Sequence, residues 1–373
     1  MHIVVVGAGL AGANAVEELR SQGYADDITL VGAESHLPYE RPPLSKGLLL
    51  GSAEPDSVFA HDAAWYDENE IEMLLGTSVE AIDLDRSRVA LADRDLAYDR
   101  LLLATGATPR HLPVADGSGV PVAYLRTLDD SLALKERLTG RIVIVGAGWI
   151  GLEVAAAARE AGAEVTVVEQ AGQPLEAVLG PELGEVFADL HREHGVDLRL
   201  GTSVDEETLA GSDLVVVGIG ATPADDLASA AGLNCSDGVL VDARLRASDP
   251  HVYAAGDVAR QDHPLLGLLR VEHWDAAIYQ GRAAARAMLG DDTAYDRMPY
   301  FFTDQYDLGM EYVGHVGAAG YDEVVVRGDR DARQLVAYWV RGGKVVAGMH
   351  LNDWDAIDEI RSVVGGPLPD STV

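Results

Sequence analysis

Cysteine is almost absent from this chain: Cys235 is the only one in 373 residues. A lone thiol closes no intrachain disulfide, and no CxxC pair exists, so chemistry that relays electrons through a dithiol is excluded. Single-cysteine chemistry in the segment after the second strand is excluded as well, because Pro42-Pro43-Leu44-Ser45 carries no sulfur. Cys235 lies beside Asn234 and Ser236 and reads as a structural residue in a turn. Such sparing use of cysteine suits a reducing compartment, and a cytoplasmic location is expected.

Positive charge is also scarce. Lys46, Lys135 and Lys344 are the only lysines, and 28 basic residues face 61 acidic ones for a net charge of -33. A surface of that sign repels nucleic acid and anionic lipid, so neither is an expected partner. No apolar run reaches the roughly 18–20 residues that cross a bilayer. The amino terminus enters a strand-like run at once, His2-Ile3-Val4-Val5-Val6, without the pattern of a secretory leader. The eleven histidines show no HExxH or comparable spacing, and no metal site is expected.

What the chain does have is a repeat of itself. Residues 2–12 read HIVVVGAGLAG and residues 141–151 read RIVIVGAGWIG. Each is an apolar strand that runs into glycines and then into an alanine-rich helical stretch. A second β-like run follows in each copy, Ile28-Thr29-Leu30-Val31 and Val165-Thr166-Val167-Val168. This is a β-α-β unit used twice. Later apolar strands end in glycine at Leu101-Leu102-Leu103-Ala104-Thr105-Gly106, at Leu214 to Gly220 and at Val252 to Asp257, places where a ligand can approach. From about Met298 the pattern changes to alternating strands and a helix near 353–364, an α+β module.

The glycine spacing carries chemistry because of its context. Gly7, Gly9 and Gly12 follow a strand and open a helix, as do Gly146, Gly148 and Gly151. The first glycine permits the turn, the second lets a pyrophosphate approach, and the third allows close packing of the helix. The helix amino terminus then offers unpaired N–H groups and partial positive charge to the phosphates. Two dinucleotides are therefore expected. In the second copy Glu169 ends the strand, where a carboxylate accepts both ribose hydroxyls and repels a 2′-phosphate, so NADH is favoured over NADPH. In the first copy the acid arrives slightly late, and Glu34 is the candidate for the FAD ribose.

The run Leu37-Pro38-Tyr39-Glu40-Arg41-Pro42-Pro43-Leu44-Ser45-Lys46 resembles the corresponding segment of NADH-dependent ferredoxin and rubredoxin reductases, the putidaredoxin reductase-like proteins related to apoptosis-inducing factor. The resemblance continues through Ala104-Thr105-Gly106, Leu125-Arg126-Thr127, Gly146 to Glu153, Gly218 to Pro223, Gly256-Asp257 and Val271-Glu272-His273-Trp274. It reaches Pro299-Tyr300-Phe301-Phe302-Thr303-Asp304-Gln305-Tyr306-Asp307 and so spans nearly the whole chain.

That resemblance implies residue roles. Ala11 would sit over the FAD pyrophosphate, and Arg41 and Lys46 against the flavin and its phosphates. Val79, Thr105, Gly106 and Arg126 would touch FAD, Gly256 and Asp257 would meet the ribityl chain, and Trp274 the pyrimidine end of the ring. Trp149, Ile150, Gly218, Ile219 and Gly220 would line the nicotinamide nucleotide. Glu153 would hold the carboxamide or pair with Lys46, which makes these two the catalytic candidates. Hydride transfer needs stacking and alignment and no nucleophile or general base.

The expected architecture is α/β: two Rossmann-like FAD/NAD(P)-binding domains in a glutathione-reductase-like arrangement, plus a carboxy-terminal α+β domain. The FAD domain is expected over 1–113 and 245–297, the NADH domain over 114–244 and the last domain over 298–373. The resemblance implies a flavoprotein oxidoreductase that passes hydride from NADH to FAD and then electrons to a ferredoxin- or rubredoxin-type carrier, working as a monomer or homodimer. Two alternatives stay open: turnover of a small molecule or oxygen, and redox sensing through an NADH charge-transfer complex. Arg282, Arg286 and Arg297 are the candidates for a docking patch in an otherwise acidic chain.

Overall fold

The computed structural model describes residues 1–369. The chain folds into two units. The first is Met1–Glu40, Asp56–Thr108 and Thr222–Pro299; the second is Arg41–Pro55, Pro109–Ala221 and the chain from Tyr300 onward.

In the first unit the apolar run Ile3–Val6 is wholly buried and forms the centre of a five-stranded parallel sheet. Its neighbours are Ile28–Val31 on one side and Arg100–Leu103 on the other, with Ile3 paired to Ile28 and to Arg100. Ile71–Leu74 and Val252–Ala254 complete the two edges. Strands buried on both faces need β-branched and leucine side chains, which is why the central strand Ile3–Val6 reads as a continuous apolar run. The helix Leu10–Ser21 packs against Trp274–Met288. Their backbones approach so closely that a Cβ on Gly281 would lie 2.3 Å from the Ala11 carbonyl oxygen.

The second unit repeats the scheme and adds to it. Arg141–Val145 is the centre of a parallel sheet flanked by Glu164–Val168 and Leu214–Val217, with Asp197–Arg199 and Val122–Ala123 at the edges. The last part of the chain is a five-stranded antiparallel sheet in the order Tyr300–Gln305, Leu308–Gly314, Lys344–Leu351, Gln334–Arg341, Glu323–Asp329. The helix Ile357–Val363 packs on it through Ile360. One hydrophobic core joins Ile142, Val165 and Phe187 of the parallel half to Tyr312, Trp339 and Met349 of the antiparallel sheet. The α/β class, the two Rossmann-like sheets and the α+β character of the last part are as the sequence implies. No helix among the described residues is long and apolar enough to cross a membrane.

Candidate functional site

Each unit places a glycine turn at the carboxyl end of its central strand. Gly7 has φ +116°, and a Cβ on it would lie 2.1 Å from the Ala104 carbonyl oxygen. Gly146 has φ +102° and the same conflict with Gly218 at 2.4 Å. A Cβ on Gly12 or Gly151 would stand 2.1 Å from the oxygen of Gly7 or Gly146 respectively, so both helices start too near the turn for any side chain.

The middle glycines differ. At Gly9 no protein atom comes within 4 Å of an added Cβ, and at Gly148 the nearest is the Gly218 oxygen at 3.9 Å. Protein packing does not require glycine at these two positions, and both face open space. The helices that begin here, Leu10–Ser21 and Trp149–Glu160, have no side-chain cap and no acidic residue in their first turns. In a chain of net charge -33 that combination gives two helix ends whose N–H groups and positive dipole ends suit an anion. The donor set fits a dinucleotide pyrophosphate at each turn.

Around the first turn the ends of the parallel strands gather several candidates. Ala11 lies in the opening turn of the helix, and a Cβ on Gly256 would come within 3.1 Å of its methyl. Gly256 is held by its N–H donating to Gln280 Oε1 at 2.9 Å, and the Asp257 carbonyl accepts from Arg270. Thr105 donates to the Ala224 carbonyl at 2.7 Å, and Gly106 turns with φ +72°. The Glu34 carboxylate accepts from the Tyr39 hydroxyl at 2.5 Å. Burial raises the carboxyl of Glu40 above its ordinary value, and the Trp274 side chain opposes that shift. Val79 opens the small antiparallel meander and packs against the unit's core.

Around the second turn Glu169 uses both carboxylate oxygens to brace the loop, accepting from the Ala147 N–H at 2.7 Å and the Ala171 N–H at 2.8 Å. Gly218, Ile219 and Gly220 follow the adjacent strand, and Ile219 would touch a Cβ on Gly146 at 3.4 Å. Ile150 is exposed at the helix start. Trp149 is half-buried between Phe187 and Phe301, with ring centroids 6.0 and 4.8 Å away.

On the same helix Glu153 is buried, only 3 % exposed, on the inner face. Lys46 Nζ lies 2.6 Å from its Oε1. Thr303 donates to the same oxygen at 2.6 Å, and Ser45 donates to Oε2. Lys46 also stands over the Phe302 ring at 5.4 Å. Arg41 donates to the carbonyl of Arg126, whose N–H donates to Asp130. Ser45 and Thr303 are partners of Glu153 that residue-type reasoning missed, although both lie inside the motifs that carry the resemblance.

Comparison with known proteins decides the family. A family model described as pyridine nucleotide-disulphide oxidoreductase matches residues 1–281, and one described as reductase C-terminal matches residues 300–367. The chain belongs to the pyridine nucleotide-disulphide oxidoreductase family. Within it the chain is 37% identical over 392 residues to putidaredoxin reductase of Pseudomonas putida, covering 99% of this chain and 92% of that protein. It is 39% identical to the ferredoxin–NAD(+) reductase component of the anthranilate 1,2-dioxygenase system of Burkholderia cepacia, over 98% and 95%. Among solved structures, the covalent putidaredoxin reductase–putidaredoxin complex superimposes with a TM-score of 0.92 at 36% identity, over 98% of this chain and 93% of that one.

The disulphide in the name of this oxidoreductase family has no counterpart here, since the chain holds one cysteine. Burial and Asp225 raise the Cys235 thiol further above its ordinary value, away from the reactive thiolate. The candidate docking arginines are not free charges. Arg297 makes a bidentate pair with Asp275 at 2.7 Å, Arg286 pairs with Glu18 at 2.9 Å, and Arg282 meets Asn14 at 3.0 Å and Glu17 at 3.6 Å. Each of these charges is paired within the first unit, and Arg282 and Arg297 both stand over the Tyr279 ring, at 6.0 and 3.8 Å.

His191 is wholly buried, and its ring is pushed down to about 4, chiefly by burial. The folded protein thus binds fewer protons at this site than the unfolded chain. Its contribution to stability is complete above the unfolded value of 6.5 and is lost as the pH falls from there toward 4. A His191→Gln variant is expected to lose less stability between pH 7.5 and pH 5 than the parent. Denaturant midpoints at the two pH values measure this, and equal acid losses would contradict it.

Proposed function

We propose that this oxidoreductase binds FAD at the Gly7–Gly12 turn and NADH at the Gly146–Gly151 turn, and passes electrons from NADH through FAD to a small iron–sulfur carrier. The observation that carries the proposal is the pair of uncapped, acid-free helix starts above turns whose middle glycines face open space. The named relatives supply the carrier: one is a ferredoxin–NAD(+) reductase component, and the superimposed complex holds putidaredoxin.

Bound FAD supplies the chemistry that accepts hydride from the nicotinamide and releases electrons to a one-electron carrier. The chain supplies binding and alignment. Its two helix ends hold the pyrophosphates; Glu34 and Glu169 take the ribose hydroxyls; and Thr105, Gly256, Asp257 and Trp274 border the flavin. Lys46 stabilises negative charge on the ring, and Glu153 orients the carboxamide. Arg41, Val79 and Arg126 complete the FAD contacts, with Trp149, Ile150, Ile219 and Gly220 around the nicotinamide.

Preference for NADH rests on Glu169. Its carboxylate is tethered to the glycine turn by the Ala147 N–H, so a 2′-phosphate near that ribose meets a fixed negative charge. Glu169→Ser is expected to raise the NADPH to NADH ratio of kcat/KM at least tenfold, about 1.4 kcal/mol of removed repulsion and lost ribose binding. Steady-state rates with each nucleotide measure it. An unchanged ratio sinks the assignment.

A further inference from the structure

Glu153 is the end of a longer buried chain of hydrogen bonds. Thr303 Oγ1 donates to Glu153 Oε1 at 2.6 Å, and Gln305 Nε2 donates to Thr303 Oγ1 at 3.2 Å. Gln305 Oε1 lies 2.9 Å from His191 Nε2. Thr303 and Gln305 are each 1% exposed and His191 is 0% exposed, so water does not complete these bonds. The chain links three elements of the second unit: the helix Trp149–Glu160, the strand Tyr300–Gln305 and the helix Glu176–Glu193.

Its direction follows from chemistry. An ionised carboxylate only accepts, so Thr303 must spend its one proton on Glu153. The Thr303 oxygen then accepts from the amide NH2 of Gln305, which turns the amide oxygen toward His191. That oxygen needs a donor, so the neutral ring carries its proton on Nε2. His191 Nδ1, buried without a hydrogen-bond partner, is left as the lone-pair nitrogen. Its ring stands edge-on to Tyr306 with centroids 5.3 Å apart. Every donor therefore points the same way, toward Glu153, and dipoles aligned in one sense strengthen one another. Had these positions served only to pack the sheet on the helices, leucine and valine would fill them without the cost of burying polar atoms.

We infer that His191, Gln305 and Thr303 form a one-way hydrogen-bond relay that holds the Glu153 carboxylate in a single orientation, and that all three are positioning residues for the nicotinamide step. The inference rests on the reading that Glu153 serves the nicotinamide. The relay restricts where the carboxylate points while Lys46 and Ser45 hold its other side.

Two measurements on the full-length, FAD-loaded protein test this. Nitrogen-15 NMR of the histidine ring is expected to show His191 protonated at Nε2, with that signal displaced in Gln305→Leu. Anaerobic stopped-flow is expected to show Gln305→Leu and Thr303→Val reducing flavin about tenfold more slowly at saturating NADH, the scale of one lost buried hydrogen bond, with NADH affinity within about twofold of the parent. Thr303→Ser, which restores the hydroxyl, is expected to recover the rate. A proton on Nδ1 of His191 overturns the relay whatever the kinetics. Slow reduction in Glu153→Ala with parental rates in Gln305→Leu overturns the positioning role alone. Parental rates in Glu153→Ala, with His191 protonated at Nε2, overturn instead the reading of Glu153 and the positioning role that rests on it.

Discussion

Replacing Glu153 with alanine is expected to slow flavin reduction at saturating NADH by about a hundredfold, the scale of an angstrom-sized misplacement of reacting groups. The carboxylate is the common acceptor for Ser45, Lys46 and Thr303, so its removal releases three side chains at once. It also leaves the Lys46 ammonium without its partner. Breaking a fully buried pair costs roughly 3–5 kcal/mol, and about 2–3 kcal/mol is expected here because Lys46 keeps some contact with water, at 17% exposure. Glu153→Gln separates the two effects. It retains an oxygen acceptor for the neighbouring donors and loses the charge that answers Lys46, so the hydrogen-bond geometry is kept while the ion-pair cost remains. Stopped-flow at several NADH concentrations and a denaturant titration read both. Unchanged reduction in Glu153→Ala refutes the nicotinamide placement.

The second large effect belongs to a residue whose substitution should not harm the fold. Gly9 occupies the N-cap position of the Leu10–Ser21 helix with φ -90° and ψ -169°, extended backbone open to any residue, and no atom obstructs a side chain there. Aspartate is a favoured N-cap whose carboxylate satisfies the first N–H groups and answers the helix dipole. Gly9→Asp is therefore expected to fold at least as stably as the parent and to bind FAD at least about a hundredfold more weakly, because it fills the anion site with its own charge. Gly12→Ala is expected to behave oppositely, losing stability because its methyl would lie 2.1 Å from the Gly7 oxygen. Flavin content after gel filtration, set beside thermal unfolding, distinguishes them. A Gly9→Asp protein that retains its full flavin would contradict the assignment.

The parts of this protein that local chemistry dictates were legible in the sequence. Gly7 and Gly12 announce a turn because the backbone there admits nothing else, and the buried runs Ile3–Val6 and Arg141–Val145 announce parallel strands because no polar side chain interrupts the part that is covered on both faces. Lys46 and Glu153 stand 107 residues apart, and no periodicity links them; only resemblance brought them together. His191 carried no signal at all. It sits near the end of a helix among charged and apolar neighbours, and its value lies in a partner, Gln305, 114 residues away. Arg282, Arg286 and Arg297 show the converse limit. Composition reveals their charge, but only folding brings Glu17, Glu18 and Asp275 against them and pairs it.

Electrons are proposed to travel from NADH through FAD to an iron–sulfur protein without a thiol relay. Anaerobic mixing of the FAD-loaded protein with NADH and a molar excess of a [2Fe–2S] ferredoxin tests this route most directly, with flavin and iron–sulfur absorbance followed together. Flavin is expected to bleach first, and many equivalents of ferredoxin are then reduced per flavin, equally in a Cys235→Ser variant. Bleached flavin that leaves the ferredoxin oxidised, but turns over when quinone or oxygen is admitted, would contradict it.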